Sequence, residues 1–119
     1  MQAFEKYEKA IEIKPDVHEA FNNWGISLGR LAGTKEGKAA EALYKEAIEK
    51  YKKAIENGGS SYNLSCIYAL KGEKENALHY LNMSLSNREI DVDFVNKDED
   101  WEAYWDDVEF IALINKYKK

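Results

Sequence analysis

Three pairs of residues sit 30 positions apart: Ala47 with Ala77, Tyr51 with Leu81, and Ala54 with Ser84. In each pair a small residue matches a small one, or a large one a large one. A second set, Trp24 with Leu64 and Leu28 with Tyr68, is 40 positions apart. A chain that repeats its own pattern at this scale folds by stacking similar units. Small residues at Gly25, Ala47, Ala54 and Ala77 let helix axes approach, and large ones at Trp24, Tyr51, Tyr68 and Leu81 fill the space between ridges. Neither helix of such a pair can bury its apolar face alone, so pairs need neighbours.

The intervals differ because of local insertions and deletions. Between Gly25 and Ala47 lie 22 positions, against 12 between Ser65 and Ala77, so the middle unit carries ten extra residues. After Ala54 the connection is short, and Asn57-Gly58-Gly59-Ser60 turns the chain without a proline. The expected helices are about 2–13, 17–32, 36–57, 60–71 and 73–86, with the extra residues as added turns of the third. Lys14-Pro15-Asp16 closes the first helix and Asp16 can cap the second. Gly58 suits the left-handed residue that ends a helix.

Residues 88–109 hold ten acids and two bases, whereas the whole chain of 119 residues carries a net charge of -5. The stretch is rich in aromatic residues, so it does not read as a disordered acidic tail. Asp98 or Asp100 can cap a short helix bearing Trp101 and Tyr104. Asp106 can cap a last helix over about 107–116, with Val108, Ile111, Leu113 and Ile114 facing in.

The negative charge argues against a nucleic-acid partner. One cysteine, Cys66, excludes an intrachain disulfide and suits a reducing compartment. No apolar run reaches membrane-spanning length and the N-terminus does not read as a signal peptide, so the expected location is cytoplasmic.

The residues Phe21, Trp24, Gly25 and Leu28, followed by Ala47, Tyr51 and Ala54, resemble the two halves of a tetratricopeptide repeat, whose period is about 34 residues. Ser61, Leu64, Ser65 and Tyr68, then Ala77, Leu81 and Ser84, resemble a second copy. Ala3, Tyr7, Ala10 and Pro15 resemble a second half without its first helix. The resemblance implies one all-α domain of helix hairpins stacked as a short right-handed superhelix: a half repeat at 1–15, repeats at 16–57 and 58–86, and an acidic linker with capping helices at 87–119. Asp106-Asp107-Val108-Glu109-Phe110 resembles the D-D-P-x-F turn that ends many bacterial tetratricopeptide domains, with valine in place of proline.

That family binds proteins and peptides and is not catalytic. The resemblance implies a mostly apolar groove lined by the first helix of each pair, the alternative being that the chain's own tail or neighbouring repeats cover part of it. The groove positions fall on Glu19, Asn22, Ile26, Gly29 and Arg30, then on Gly59, Tyr62, Cys66, Ala69 and Leu70. The groove residues expected to matter most are Glu19, Asn22, Ile26, Arg30, Tyr62, Cys66 and Ala69, and the expected role is an adaptor for a protein or peptide. Relatives that clamp a chaperone's terminal carboxylate use asparagines where this chain has Ile26 and Cys66, so that ligand is not expected. The alternative is a homodimer formed through the unpaired N-terminal helix.

No cofactor, metal or catalytic group is expected. His18 and His79 lie 61 residues apart without ligand-like partners at helical spacing. An EF-hand loop counted from Asp91 meets Val95 at its fifth position and Asn96 at its sixth, where an oxygen ligand and a glycine are needed. Gly29, Gly33 and Gly37 lack the Gly-Lys-Ser/Thr ending of a phosphate loop.

Overall fold

Amphipathic stripes close on one another to form two helix hairpins. A computed structural model describes residues 18–118. The helices are α1 (His18–Ala32), α2 (Gly37–Glu56), α3 (Tyr62–Lys71), α4 (Lys74–Ser86), α5 (Val92–Lys97) and α6 (Val108–Tyr117). A 3-10 turn, η1 (Glu99–Tyr104), lies between α5 and α6. There is no strand among the described residues. Expectations that rest on residues 1–17, namely the half repeat, the Asp16 cap and the dimer through the first helix, lie outside the described residues.

Helices α1 and α2 pack as one hairpin and α3 and α4 as the next, with α2 also against α3. The small residues expected to allow close approach are buried: Ala47, Ala54 and Ala77 are closed to solvent, and Gly25 is buried with them. Above Gly25 lies the ring of Tyr51, so near that a Cβ there would stand 2.6 Å from Cε1. Glycine at this position is what lets the α1 and α2 axes meet. Leu28, Leu64, Tyr68 and Leu81 fill the spaces beside these contacts. The first turns of α2 are exposed apart from Ala40, as the extra length of that helix requires.

The 30-residue relation extends to how helices end. At α2 the N–H of Gly59 donates to the Ala54 carbonyl at 2.8 Å, with Gly58 left-handed at φ 91°. At α4 the N–H of Glu89 donates to the Ser84 carbonyl at 2.9 Å, with Arg88 left-handed at φ 58°. Both are the same closing motif, which satisfies carbonyls the helix leaves open. Glu89 then reaches back, and its Oε1 accepts from the backbone N–H of Ser61 at 3.0 Å, serving an orphan donor at the start of α3.

Ser84 is the odd member of its pair. It is fully buried where its counterpart is Ala54, and its hydroxyl has no hydrogen-bond partner among the described residues. An unsatisfied buried hydroxyl costs about 1–3 kcal/mol. Ser84→Ala is therefore expected to raise the urea midpoint, by about 1 kcal/mol of stability. A fall in midpoint would show that the hydroxyl is satisfied.

The C-terminal segment contains one helix that the sequence did not announce and an end that differs from expectation. Helix α5 starts at Asp91, whose carboxylate accepts from the Phe94 N–H at 2.9 Å, and it buries Val95. Asp98 caps η1 through the Asp100 N–H at 3.0 Å. Helix α6 is capped by Asp107, not Asp106, through the Phe110 N–H at 3.0 Å. Of the four residues expected to face in, Leu113 and Ile114 do, and Val108 and Ile111 do not. Phe110 and Ile114 are buried and Leu113 partly so, whereas Val108 is 79% exposed and Ile111 42%. Lys74 at the start of α4 holds α6 in place, with Nζ 3.2 Å from Asp107 and 2.8 Å from Glu109.

Candidate functional site

The expected groove has two halves, and they meet different fates. On α1, Glu19 and Arg30 are exposed and Asn22 and Ile26 are half-buried. These four recur at helical intervals on one stripe. On α3, Tyr62, Cys66 and Ala69 are all buried. The chain's own acidic segment lies on that side. The Tyr62 hydroxyl donates to Asp98 Oδ2 at 2.6 Å, and Phe94 of α5 stands edge-on to the Tyr62 ring, 5.8 Å between centroids. Phe94 remains 54% exposed. It lies beside Tyr62, a position that the resemblance assigned to the groove. Nothing in the sequence pattern marks Phe94, because α5 is too short to show a period.

Cys66, Asp98 and Asp100 converge beneath this surface, with one potential ligand atom from each within 4.8 Å of the others. Their protonation decides what they can do. Burial, and then the Asp98 charge, push the Cys66 thiol up to about 12. Cys66 Sγ lies 3.9 Å from Asp98 Oδ2, the oxygen that already accepts from Tyr62. Burial, the Cys66 sulfur and the Asp98 bond raise the Tyr62 phenol as well, so it stays a donor. A divalent cation would have to displace the thiol proton from this network. As it stands, the cluster is a hydrogen-bonded latch that fixes η1 to α3. The Tyr51 hydroxyl is flanked by both halves: burial raises it first, then Cys66 and Asp100, while Arg30 of α1 acts in the opposite sense.

Asp100 gives the latch a pH dependence. Burial, then Asp98 and Glu99, raise its carboxyl above the ordinary 3.8. The folded chain therefore holds this proton more tightly than the unfolded chain does. Its contribution to stability is greatest at low pH and is lost as pH rises through the raised value. Asp100→Asn is expected to be more stable than the parent at neutral pH, and the gap is expected to close as pH falls below about 3.8. Urea midpoints across that range check it, and a gap that does not change with pH would refute it.

Compared with protein-family models, curated proteins and solved structures, the chain matches none of them. Its function is therefore read from its own surfaces. Among the described residues no helix is long and apolar enough to cross a membrane. The calcium spacing rejected from the sequence stays rejected on geometry: Val95, at the fifth loop position, is fully buried, and Asp91 is occupied as a helix cap.

Proposed function

We propose that this domain is a non-catalytic scaffold of tetratricopeptide type that binds an extended peptide along α1. The observation that carries this reading is the unequal closure of the groove. On α1 Glu19 and Arg30 are exposed and Asn22 and Ile26 half-buried, while Tyr62, Cys66 and Ala69 of α3 are buried. The burial of Gly25, Ala47, Ala54 and Ala77 at helix contacts supports the family assignment. The ligand site then runs over Asn22, Ile26 and Arg30 on one side and Phe94 on the other. Ile26 and Phe94 supply apolar anchors, and Arg30 supplies a planar donor for a carboxylate or a carbonyl. Arg30 and Asp100 act on the Tyr51 hydroxyl in opposite senses, so the site offers a ligand both signs of charge.

Peptides selected from a random display library against the immobilised domain test this. Their affinity for Asn22→Ala/Arg30→Ala and for Phe94→Ala is expected to fall at least tenfold, about 1.4 kcal/mol. Selected peptides that bind both variants as tightly as the parent would remove the groove from consideration.

A further inference from the structure

Two buried donors flank the cluster of Cys66, Asp98 and Asp100, and one of them is idle. The Tyr62 hydroxyl donates to Asp98 Oδ2 at 2.6 Å. The indole N–H of Trp101 is fully buried and has no hydrogen-bond partner among the described residues. It acts on the Cys66 sulfur in the sense of a donor to the thiolate, against the upward push of burial and Asp98. A buried donor left unpaired is costly. A thiol is a weak acceptor, whereas an anionic acceptor makes a strong hydrogen bond. The indole is therefore placed for the charged form of Cys66.

The carboxylates say what would hold that form. Asp98 and Asp100 are half-buried, and neither is ion-paired with a base among the described residues. Asp98 spends Oδ1 on the Asp100 N–H, which leaves Oδ2 to Tyr62 and the sulfur. Burial aside, only like charges act on the Asp100 carboxyl, from Asp98 and Glu99. Two carboxylates and a thiolate need a compact counter-charge, which a divalent cation supplies.

The spacing suits one. Ligand atoms of the three residues lie within 4.8 Å of one another, and Cys66 Sγ is 3.9 Å from Asp98 Oδ2. Zinc bonds of about 2.3 Å to sulfur and 2.0 Å to oxygen, at a tetrahedral angle, set such atoms about 3.5 Å apart. These two atoms need to close by only a few tenths of an ångström. Ligand type narrows the metal: calcium and magnesium take oxygen ligands, whereas a thiolate selects zinc and its relatives.

We propose that Cys66, Asp98 and Asp100 bind one zinc-class divalent cation, with water in the fourth position. Binding forms the metal–sulfur bond and releases the Cys66 proton to solvent, with no change of oxidation state. The Tyr62 hydroxyl orients Asp98, and the Trp101 N–H gains the thiolate as its acceptor. The metal fastens the acidic segment to α3 across 32 positions of chain.

Cobalt(II), added to the whole metal-free chain, is the probe. Cys66 is the single cysteine, so a thiolate-to-cobalt charge-transfer band in the near ultraviolet reports this site alone. The band is expected to saturate at one cobalt per chain, to be erased by zinc, and to survive an excess of magnesium. Cys66→Ser is expected to abolish the band. Asp100→Asn, which keeps the sulfur in place, is expected to weaken cobalt binding at least tenfold. With zinc bound, the indole N–H resonance of Trp101 is expected to move further downfield than those of Trp24 and Trp105. A folded parent that gives no band at millimolar cobalt would overturn the proposal. So would a band that Asp100→Asn retains at the parent's affinity, or one that saturates at one cobalt per two chains. The test contains no peptide, so its result is independent of the α1 groove.

Discussion

Replacing Trp101 with alanine is expected to lower stability by about 3–5 kcal/mol. Trp101 is fully buried, stacks on Phe110 at 5.4 Å between centroids, and meets Tyr104 edge-on at 5.9 Å. It belongs to the same core as Leu64 and Cys66 of α3 and Ile114 of α6. Its removal therefore empties the junction of three elements, and little can collapse into the space without shifting η1. A domain of this size is stable by about 5–15 kcal/mol, so the loss is a large share of the whole. Urea denaturation followed by far-ultraviolet circular dichroism measures it without relying on the tryptophan signal. A loss below about 1 kcal/mol would mean that the acidic segment is an appendage and not part of the cooperative core.

The second large effect is expected at Gly25. A Cβ there would lie 2.6, 2.8 and 2.9 Å from three atoms of the Tyr51 ring. Tyr51 is 3% exposed and belongs to the packed core. Alanine favours a helix over glycine by about 1 kcal/mol, and overpacking costs about 1–3 kcal/mol or more. The clash wins, because it involves the body of a packed ring. Gly25→Ala is thus expected to destabilise by roughly 1–3 kcal/mol. Gly29→Ala on the same helix is the control. Its Cβ would meet only the Cδ1 end of Ile67 at 3.0 Å, which can turn aside, so this change is expected to be near neutral. Thermal melts of the two variants side by side check the contrast, and equal losses would refute the close-approach account.

The helices of the two hairpins were legible because each is long enough to repeat its own pattern. The stripe of Ala47, Tyr51 and Ala54 marked α2, and its 30-residue copy marked α4. Both end in a left-handed residue at equivalent positions, Gly58 and Arg88, though only the glycine advertised it. Helix α5, at six residues, is shorter than two turns and offers no period to read. The end of the chain was half legible. Two adjacent aspartates can each cap a helix, and Asp107 does so; Leu113 and Ile114 face in as expected, whereas the packing of Phe110 on Trp101 leaves Val108 and Ile111 outward.

The candidate site divides along the same line. The resemblance to a tetratricopeptide repeat put Glu19, Asn22, Ile26 and Arg30 on one stripe of α1 and Tyr62, Cys66 and Ala69 on the corresponding stripe of α3; the first four are exposed or half-buried and the last three buried. Whether a stripe is open is a different kind of fact. It depends on what arrives from elsewhere in the chain, and the Tyr62–Asp98 bond spans 36 positions.

Sequence by itself determined which residues are helical and which side of each long helix is apolar, because backbone hydrogen bonding and side-chain period act over a few residues. Only the tertiary structure decided that the acidic segment lies across α3, that Phe94 stands edge-on to Tyr62, and that α6 shows an apolar face to solvent. Those outcomes are set by competition for the same buried space, and no short stretch of chain contains all the competitors.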